Sequence, residues 1–272
     1  MRTAPGTAPR RQAIENVMRF GLPIAVLLSA IGLWEWVVWW RRIPPYILPA
    51  PSAILTTLIR DWNVLSGSLL VTLRITFSAL LAATIGGVLL ALLFAQSRWI
   101  ERAFFPFAVI LQVTPVVAIA PLLLIYLEPS TAVLVVAFIV AFFPILSNTA
   151  LGLASADHNL RNLFDLYGAS RWQQLIHLRL PSALPYFLGG LRIGGGLALI
   201  GAIVAEIAAG SAGQGSGLAF RIVESGYRLN IPRMFAALLL ISFAGVLIFV
   251  TLNAISHFAL RRWHESVIAR EN

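Results

Sequence analysis

Eleven acidic residues, four histidines and no cysteine or lysine leave this 272-residue chain few groups able to do chemistry. Glu206 is the most informative of them. It follows the apolar run Ile200-Gly201-Ala202-Ile203-Val204-Ala205. An ionisable side chain at membrane depth is costly and marks a path, a gate or a paired helix contact. Two readings of Glu206 stay open on the sequence: a gate or helix–helix tie, with an arginine as one possible partner, and direct contact with a solute. Gln112, Thr114, Ser147 and Asn148, with Thr149, are further candidates to line a path. Taken singly, each is better explained by an interhelical hydrogen bond. Arg192 and Glu35 are expected to reach toward the inner and outer surfaces along their apolar stems. His158, His177, His257 and His264 lack metal-ligand spacing. There is no Gly-x-Ser-x-Gly elbow and no pair of carboxylates within one apolar block. Without lysine there is no phosphate-binding loop of the Walker A type. No catalytic residue, metal site or bound cofactor is expected, and any ATP with its Mg must be held by another chain.

Apolar blocks are the elements that must position these groups. Residues of the AVILMFWYC set make up 59% of the chain and charged residues 11%, whereas roughly a quarter of a soluble domain is charged. That balance excludes a soluble enzyme and a disordered chain. The net charge of +9 comes from arginines placed between apolar blocks rather than in one patch, which argues against nucleic acid as a partner. A spanning helix needs about 20 apolar residues. Six blocks meet or approach this: residues 20–40, interrupted by Glu35; 75–97; 103–127; about 131–156; roughly 185–210, interrupted by Arg192 and Glu206; and 234–260. The first is longer than the core of a cleaved leader. It ends in Trp34, Trp36, Trp39 and Trp40, an aromatic belt, and so reads as a retained anchor. The expected organisation is an all-α membrane protein with about six transmembrane helices. A tail over residues 1–19 precedes a membrane domain over 20–260, and a second tail covers 261–272.

Arginine placement orients the bundle. With six spans and the N-terminus inside, thirteen arginines fall on inner segments and seven on outer ones. The positive-inside rule then puts both termini in the cytoplasm. In the outer segment, Pro44, Pro45, Pro49 and Pro51 exclude a regular helix before about Ser52. Ser52 is expected to cap a short helix through Arg60.

The longest inner polar stretch, residues 157–182, carries the most pattern. Leu160, Leu163, Phe164 and Tyr167 fall at i, i+3, i+4 and i+7, one face of a helix. Asn159, Arg161, Asn162 and Asp165 lie elsewhere around it, and Gly168 with Ala169 breaks the period. A short amphipathic helix along the inner surface follows. Periodicity alone is equally consistent with a helix resting on lipid and with a knob presented to a cytosolic partner.

The residues beyond the helix add a resemblance. Tyr167-Gly168-Ala169-Ser170-Arg171 is followed by Leu178-Arg179-Leu180-Pro181, then Leu184-Pro185, and Gly168 stands thirteen residues before Pro181. This resembles the "EAA" loop of binding-protein-dependent ABC importer permeases, although Asn162, Leu163 and Phe164 do not match its acidic-Ala-Ala start. The segments Pro45 to Ser52, Thr114-Pro115 to Leu122, Phe143-Pro144-Ile145, and Gly190-Leu191-Arg192 with Ala205-Glu206 are similar to the nitrate/sulfonate/taurine-type branch, in the same order. The resemblance implies the fold of a type I ABC importer transmembrane domain in the bacterial inner membrane. It implies a pair of such domains, most simply two copies of this chain, on a pair of cytosolic ATPase subunits. An extracytoplasmic solute-binding protein would deliver the solute. On that reading Leu160, Leu163, Phe164, Asp165, Tyr167, Gly168, Ala169, Ser170 and Pro181 form the ATPase-coupling loop. Gln112, Thr114, Ser147, Asn148 and Glu206 are the candidate path or gate residues, and the glycines from Gly210 to Gly217 form an outer turn for the binding protein. The solute expected is small and polar, of pyrimidine, sulfonate or nitrate type. Few cationic path residues tilt the expectation toward a neutral heterocycle. The competing classes are an ATP-independent secondary transporter or channel, which usually carries more ionisable residues along its path, and an intramembrane enzyme, for which no nucleophile is visible.

Overall fold

The computed structural model describes residues 21–210 and 216–261. Every regular element among them is helical. Helix α1 (Leu22–Arg41) buries only Val38 within the chain, so its apolar surface is available to lipid. Its twenty residues rise about 30 Å, the thickness of the hydrocarbon core. Trp36 and Trp40 stack at 5.2 Å near its end. Helix α2 (Pro51–Arg60) starts with proline at its first position, where the missing N–H costs nothing. Ser52 does not cap it. The helix begins one residue before Ser52, and its free end is served by Glu35 of α1. That carboxylate accepts the Ser52 N–H at 3.0 Å and the Ser52 hydroxyl at 2.7 Å. Glu35 therefore holds α2 against α1 rather than simply reaching for the surface.

Helix α3 (Trp62–Gln96) is 35 residues long and starts well before the apolar block at 75. Its early turns bury Leu65, Ser68 and Thr72 against other helices rather than facing water. The block 103–127 is not one straight span. It forms α4 (Arg98–Val113) and α5 (Val116–Tyr126), with a 106° bend between them. Thr114 and Pro115 are extended there. Proline supplies no N–H and pushes the residue before it out of the helical region. The bent pair still crosses the bundle. Ala108 of α4 packs with Phe94, Leu153 and Ala183, while Ala120 of α5 packs with Val133 and Ala205.

Helix α6 (Pro129–Ala154) leads to a short α7 (His158–Leu166) and α8 (Arg171–Gln174). A π-helical turn (Leu175–Arg179) then runs into α9 (Leu180–Ala209). Helices α6 and α9 are antiparallel and nearly in backbone contact. A Cβ on Gly190 would lie 2.8 Å from the Pro144 carbonyl oxygen, and one on Gly152 would lie 2.8 Å from the Ala183 Cα. Small residues that let backbones approach are the usual basis of helix packing in lipid. Helix α10 (Leu218–Tyr227), absent from the sequence reading, precedes α11 (Ile231–Leu260).

The crossings alternate in direction. Ala79 lies with Ala137 and Ala202, Ala83 with Ala141 and Ala198, and Leu252 of α11 against Gly195. Trp34 of α1 packs on Phe235 at the start of α11, 5.9 Å between rings. Six crossings result, counting α4–α5 as one broken span. Both ends of the described chain thus lie on the side that carries α7. The tail over 1–19 and residues 262–272 lie outside the described residues.

Candidate functional site

Two regions gather the residues singled out by sequence. The first is the loop around α7. Asp157 opens the helix: its carboxylate accepts the N–H of Asn159 at 2.7 Å and of Leu160 at 3.2 Å, satisfying donors that have no partner inside a helix. Gly168 closes it with φ +67°, a left-handed conformation that glycine takes at least cost. Its N–H reaches the Asp165 carbonyl at 3.0 Å, and the Ala169 N–H reaches the Phe164 carbonyl at 2.9 Å. Ser170 and Gln173 then form a capping box that starts α8. The Gln174 amide donates to the Asp165 carboxylate at 2.6 Å and clamps α7 to α8. The expected loop end near residue 182 is not a break. The chain is helical from Arg171 onward, and the π turn lets Pro181 enter α9 without interrupting it.

Helix α7 buries none of its residues. Leu160 and Leu163 are exposed, Phe164 is partly covered, and Tyr167 is 84% exposed. Leu163, Phe164, Tyr167, Gly168 and Ala169, with Gln173 and His177, border an open groove of about 430 Å³. The loop is nevertheless fastened to the bundle. An Arg161 Nη donates to the Ala154 carbonyl at 3.2 Å, at the end of α6. An Arg179 Nη donates to the Ala95 carbonyl at 3.0 Å, at the end of α3. Cations placed at helix C-termini also complement the helix dipole. Neither arginine was assigned this role by sequence. The available signal was Arg161 on the polar side of the apolar i, i+3, i+4 pattern and Arg179 just before Leu180-Pro181.

The second region surrounds Glu206 at the far end of α9, where the side chain is 5% exposed. Its Oε1 accepts the Thr72 hydroxyl at 2.8 Å, and its Oε2 accepts the Ala219 N–H at 3.0 Å. The Leu218 N–H donates to the same Thr72 oxygen at 2.9 Å. Glu206 is thus a helix–helix tie in which the partner is the start of α10 rather than an arginine. A Cβ on Gly217 would fall on the Glu206 carboxylate, so only glycine fits the close approach there. A cavity of about 450 Å³ adjoins the tie, lined in part by Arg74, Ser130, Glu206 and Phe220. Of the outer glycine turn, Gly210 ends α9 at φ +56° and Gly217 precedes α10, while residues 211–215 lie outside the described residues.

The other candidate path residues do not join Glu206. Among the described residues, no hydrogen bond or shared cavity links them. Gln112 is exposed near the end of α4. The Thr114 hydroxyl donates to the Ile110 carbonyl of its own helix at 2.6 Å. Asn148 donates to the Pro144 carbonyl at 2.8 Å, and its Cβ faces Gly190 in the α6–α9 contact. Ser147 is partly buried on the same helix. Arg192 reaches Ser256 of α11 at 3.4 Å.

Charge pairs brace the side opposite α7. Arg233 donates to Asp61 at 2.6 Å, and this bond holds the Asp61 carboxyl below its ordinary value. Glu224, bonded to Arg221 at 2.8 Å, is held low chiefly by that bond. Arg221 also donates to Ser68 at 3.0 Å, tying α10 to α3.

Comparison with known proteins agrees with this architecture. The riboflavin transport system permease protein of Chloroflexus aurantiacus is 33% identical over 267 residues, covering 93% of this chain and 95% of that protein. The formylaminopyrimidine transport permease protein of Halalkalibacterium halodurans is 32% identical over 241 residues, covering 88% and 94%. Permease proteins named for nitrate, aliphatic sulfonates and taurine match at lower identity. Residues 83–267 match the binding-protein-dependent transport system inner membrane component, and the chain belongs to that family: it is a multi-pass permease subunit of the ABC importer class.

Proposed function

We propose that this chain forms the membrane passage of an ATP-driven importer. A separate cytosolic ATPase, holding ATP and Mg, would drive alternating access through the loop around Gly168. The observation that carries the proposal is the unpartnered apolar face of α7. Leu160, Leu163 and Tyr167 are exposed on a helix whose ends are fixed by Asp157 and Gly168 and whose base is fastened to α3 and α6. A helix that merely rested on lipid would need no such rigid attachment. A push on α7 passes through Arg161 and Arg179 to two membrane helices, the kind of two-state coupling such transport requires. Two copies would face each other across the path, and both termini would be cytoplasmic. An extracytoplasmic binding protein would load the side opposite α7.

The solute proposed is a small polar heterocycle of the pyrimidine kind. Support comes from the permease proteins named for riboflavin and formylaminopyrimidine, each aligned over most of both chains. The test is co-expression with the ATPase encoded beside this gene, followed by purification through the membrane chain. Stoichiometric recovery of the ATPase, lost on Phe164→Ala with Gly168→Val, is expected. Recovery of a folded chain that drives uptake with no ATPase would refute the proposal and favour an ATP-independent transporter. Uptake of a labelled pyrimidine compared with a sulfonate decides the solute.

A further inference from the structure

Four arginines converge where α3 ends, α4 begins and the α7–α8 loop returns to the bundle. Arg98, Arg171 and Arg179 line a cavity of about 330 Å³, and Arg98, Arg161 and Arg179 line an adjoining one of about 260 Å³. The two share Ala95, Arg98 and Arg179 in their walls. Two carboxylates reach these cavities, Asp165 and Glu101. Asp165 is engaged by Gln174. Among the described residues, none of the four arginines makes an ion pair. The Nε of Arg161 and of Arg179 are buried with no hydrogen-bond partner. Donors exceed acceptors, and positive charge exceeds negative. A buried donor left unpaired carries a desolvation cost, which an anion offering several acceptor oxygens would remove.

The place of these cavities narrows the anion. They sit at the ends of α3 and α6, where the spanning segments leave the hydrocarbon. Trp99, next to Arg98, is 80% exposed, and Trp172, next to Arg171, is 68% exposed. Exposed tryptophans at such a level mark the headgroup region. Basic pockets between membrane helices at that depth suit phosphate-bearing lipid heads.

We propose that Arg98, Arg161, Arg171 and Arg179 form a binding site for the phosphate headgroup of an anionic phospholipid, seated between the end of α3 and the α8 turn. An occupant there touches both arginines that fasten the α7 loop and stiffens its connection to the membrane helices.

The test is native mass spectrometry of the full chain in detergent micelles with equal amounts of phosphatidylglycerol and phosphatidylcholine. Retention of phosphatidylglycerol over phosphatidylcholine is expected. The double variant Arg98→Gln/Arg171→Gln, which spares the two arginines bonded to helix ends, should lower that preference about thirty-fold, each arginine contributing roughly a factor of five. The control Arg41→Gln/Arg42→Gln, on the opposite side of the bundle, should leave it unchanged. A charge-state distribution in the double variant that matches the unsubstituted chain shows that it is folded, so that a lost preference reports the site. Equal retention of the two lipids by the unsubstituted chain would overturn the proposal. So would an undiminished preference in the double variant. Added inorganic phosphate that displaces phosphatidylglycerol and binds with equal affinity would make the occupant a soluble phosphate and overturn the lipid assignment. A double variant that keeps phosphatidylglycerol but fails to recover the ATPase would make the cluster a protein contact, and likewise overturn it.

Discussion

Removing the Glu206 carboxylate should release the start of α10 while leaving the membrane bundle folded. Glu206 accepts one bond from Thr72 and one from the Ala219 N–H, and Thr72 in turn accepts the Leu218 N–H. Glutamine keeps one acceptor oxygen and sets an amide against the other donor. One buried bond is then lost, at a cost of about 2 kcal/mol. Alanine strands both donors and opens a void, for a cost of about 4 kcal/mol. If local opening exposes the α10 amides, Glu206→Gln should speed hydrogen exchange at Leu218 and Ala219 about thirty-fold, and Glu206→Ala roughly a thousand-fold. Amides near Ile248, in the middle of α11, should keep their protection in both variants. Gly217→Ala should behave like Glu206→Ala, since its Cβ displaces the carboxylate. The assay is hydrogen exchange with mass spectrometry on the chain in micelles. Unchanged exchange at Leu218 and Ala219 in Glu206→Ala would refute the claim that this carboxylate secures α10. Exchange that rises equally in α11 would show that Glu206 supports the whole bundle.

Gly168→Ala should weaken recovery of the ATPase only about five-fold. No atom lies within 4 Å of the added Cβ, so the cost is the left-handed backbone alone, about 1 kcal/mol. Gly168→Asn, which tolerates that conformation, should weaken it less, and the order is read by quantitative co-purification. Gly190→Val should destroy the α6–α9 contact, because its Cβ meets the Pro144 carbonyl at 2.8 Å; overpacking of a tight contact costs about 1–3 kcal/mol or more. The measurement is the monodisperse fraction in size-exclusion chromatography, with Gly189→Val, where no atom lies within 4 Å, unaffected. The Asp61–Arg233 pair should stabilise the fold at neutral pH and cease to do so in acid. The folded carboxyl titrates below its ordinary value, so its contribution is complete above about pH 4, the unfolded value, and is lost as pH falls through the lower folded one. The stability gap between the unsubstituted chain and Asp61→Asn, followed by thermal unfolding from pH 6 to pH 3, should narrow only below about pH 4.

Much of the fold could be read from the chain because lipid imposes a simple demand. Backbone groups must be satisfied within each segment, so apolar length alone reports a spanning helix. Six blocks and six crossings followed from that rule, five of them as single unbroken helices. The block 103–127 misled because hydropathy runs unbroken across it while Thr114-Pro115 turns the backbone. The proline was visible, but its consequence depends on whether neighbouring helices accommodate a kink or a sharp bend. Helix α10 escaped notice for the opposite reason. Its ten residues are too few and too polar to register as a span, yet Arg221, Glu224 and Arg228 fall at helical spacing and pair with one another.

The site residues divide in the same way. Around α7 the sequence carried the amphipathic face and its Gly168 stop, because both are local features set by residues within a turn or two of one another, while the capping role of Asp157 appeared only in the structure. Glu206 stood out by type, since a carboxylate among apolar residues always needs a partner. Which partner it finds was decided only in three dimensions: Thr72 is 134 residues away, and the other donor is a backbone N–H that no side-chain pattern announces. The fastening of the loop by Arg161 and Arg179 to the carbonyls of α6 and α3 was settled in the same way. The sequence by itself determined what crosses the membrane and where the exposed helix ends, because burial in lipid and local helix patterning act through near neighbours in the chain. The tertiary structure alone decided which polar groups meet, because those bonds join helices brought together only when the bundle packs.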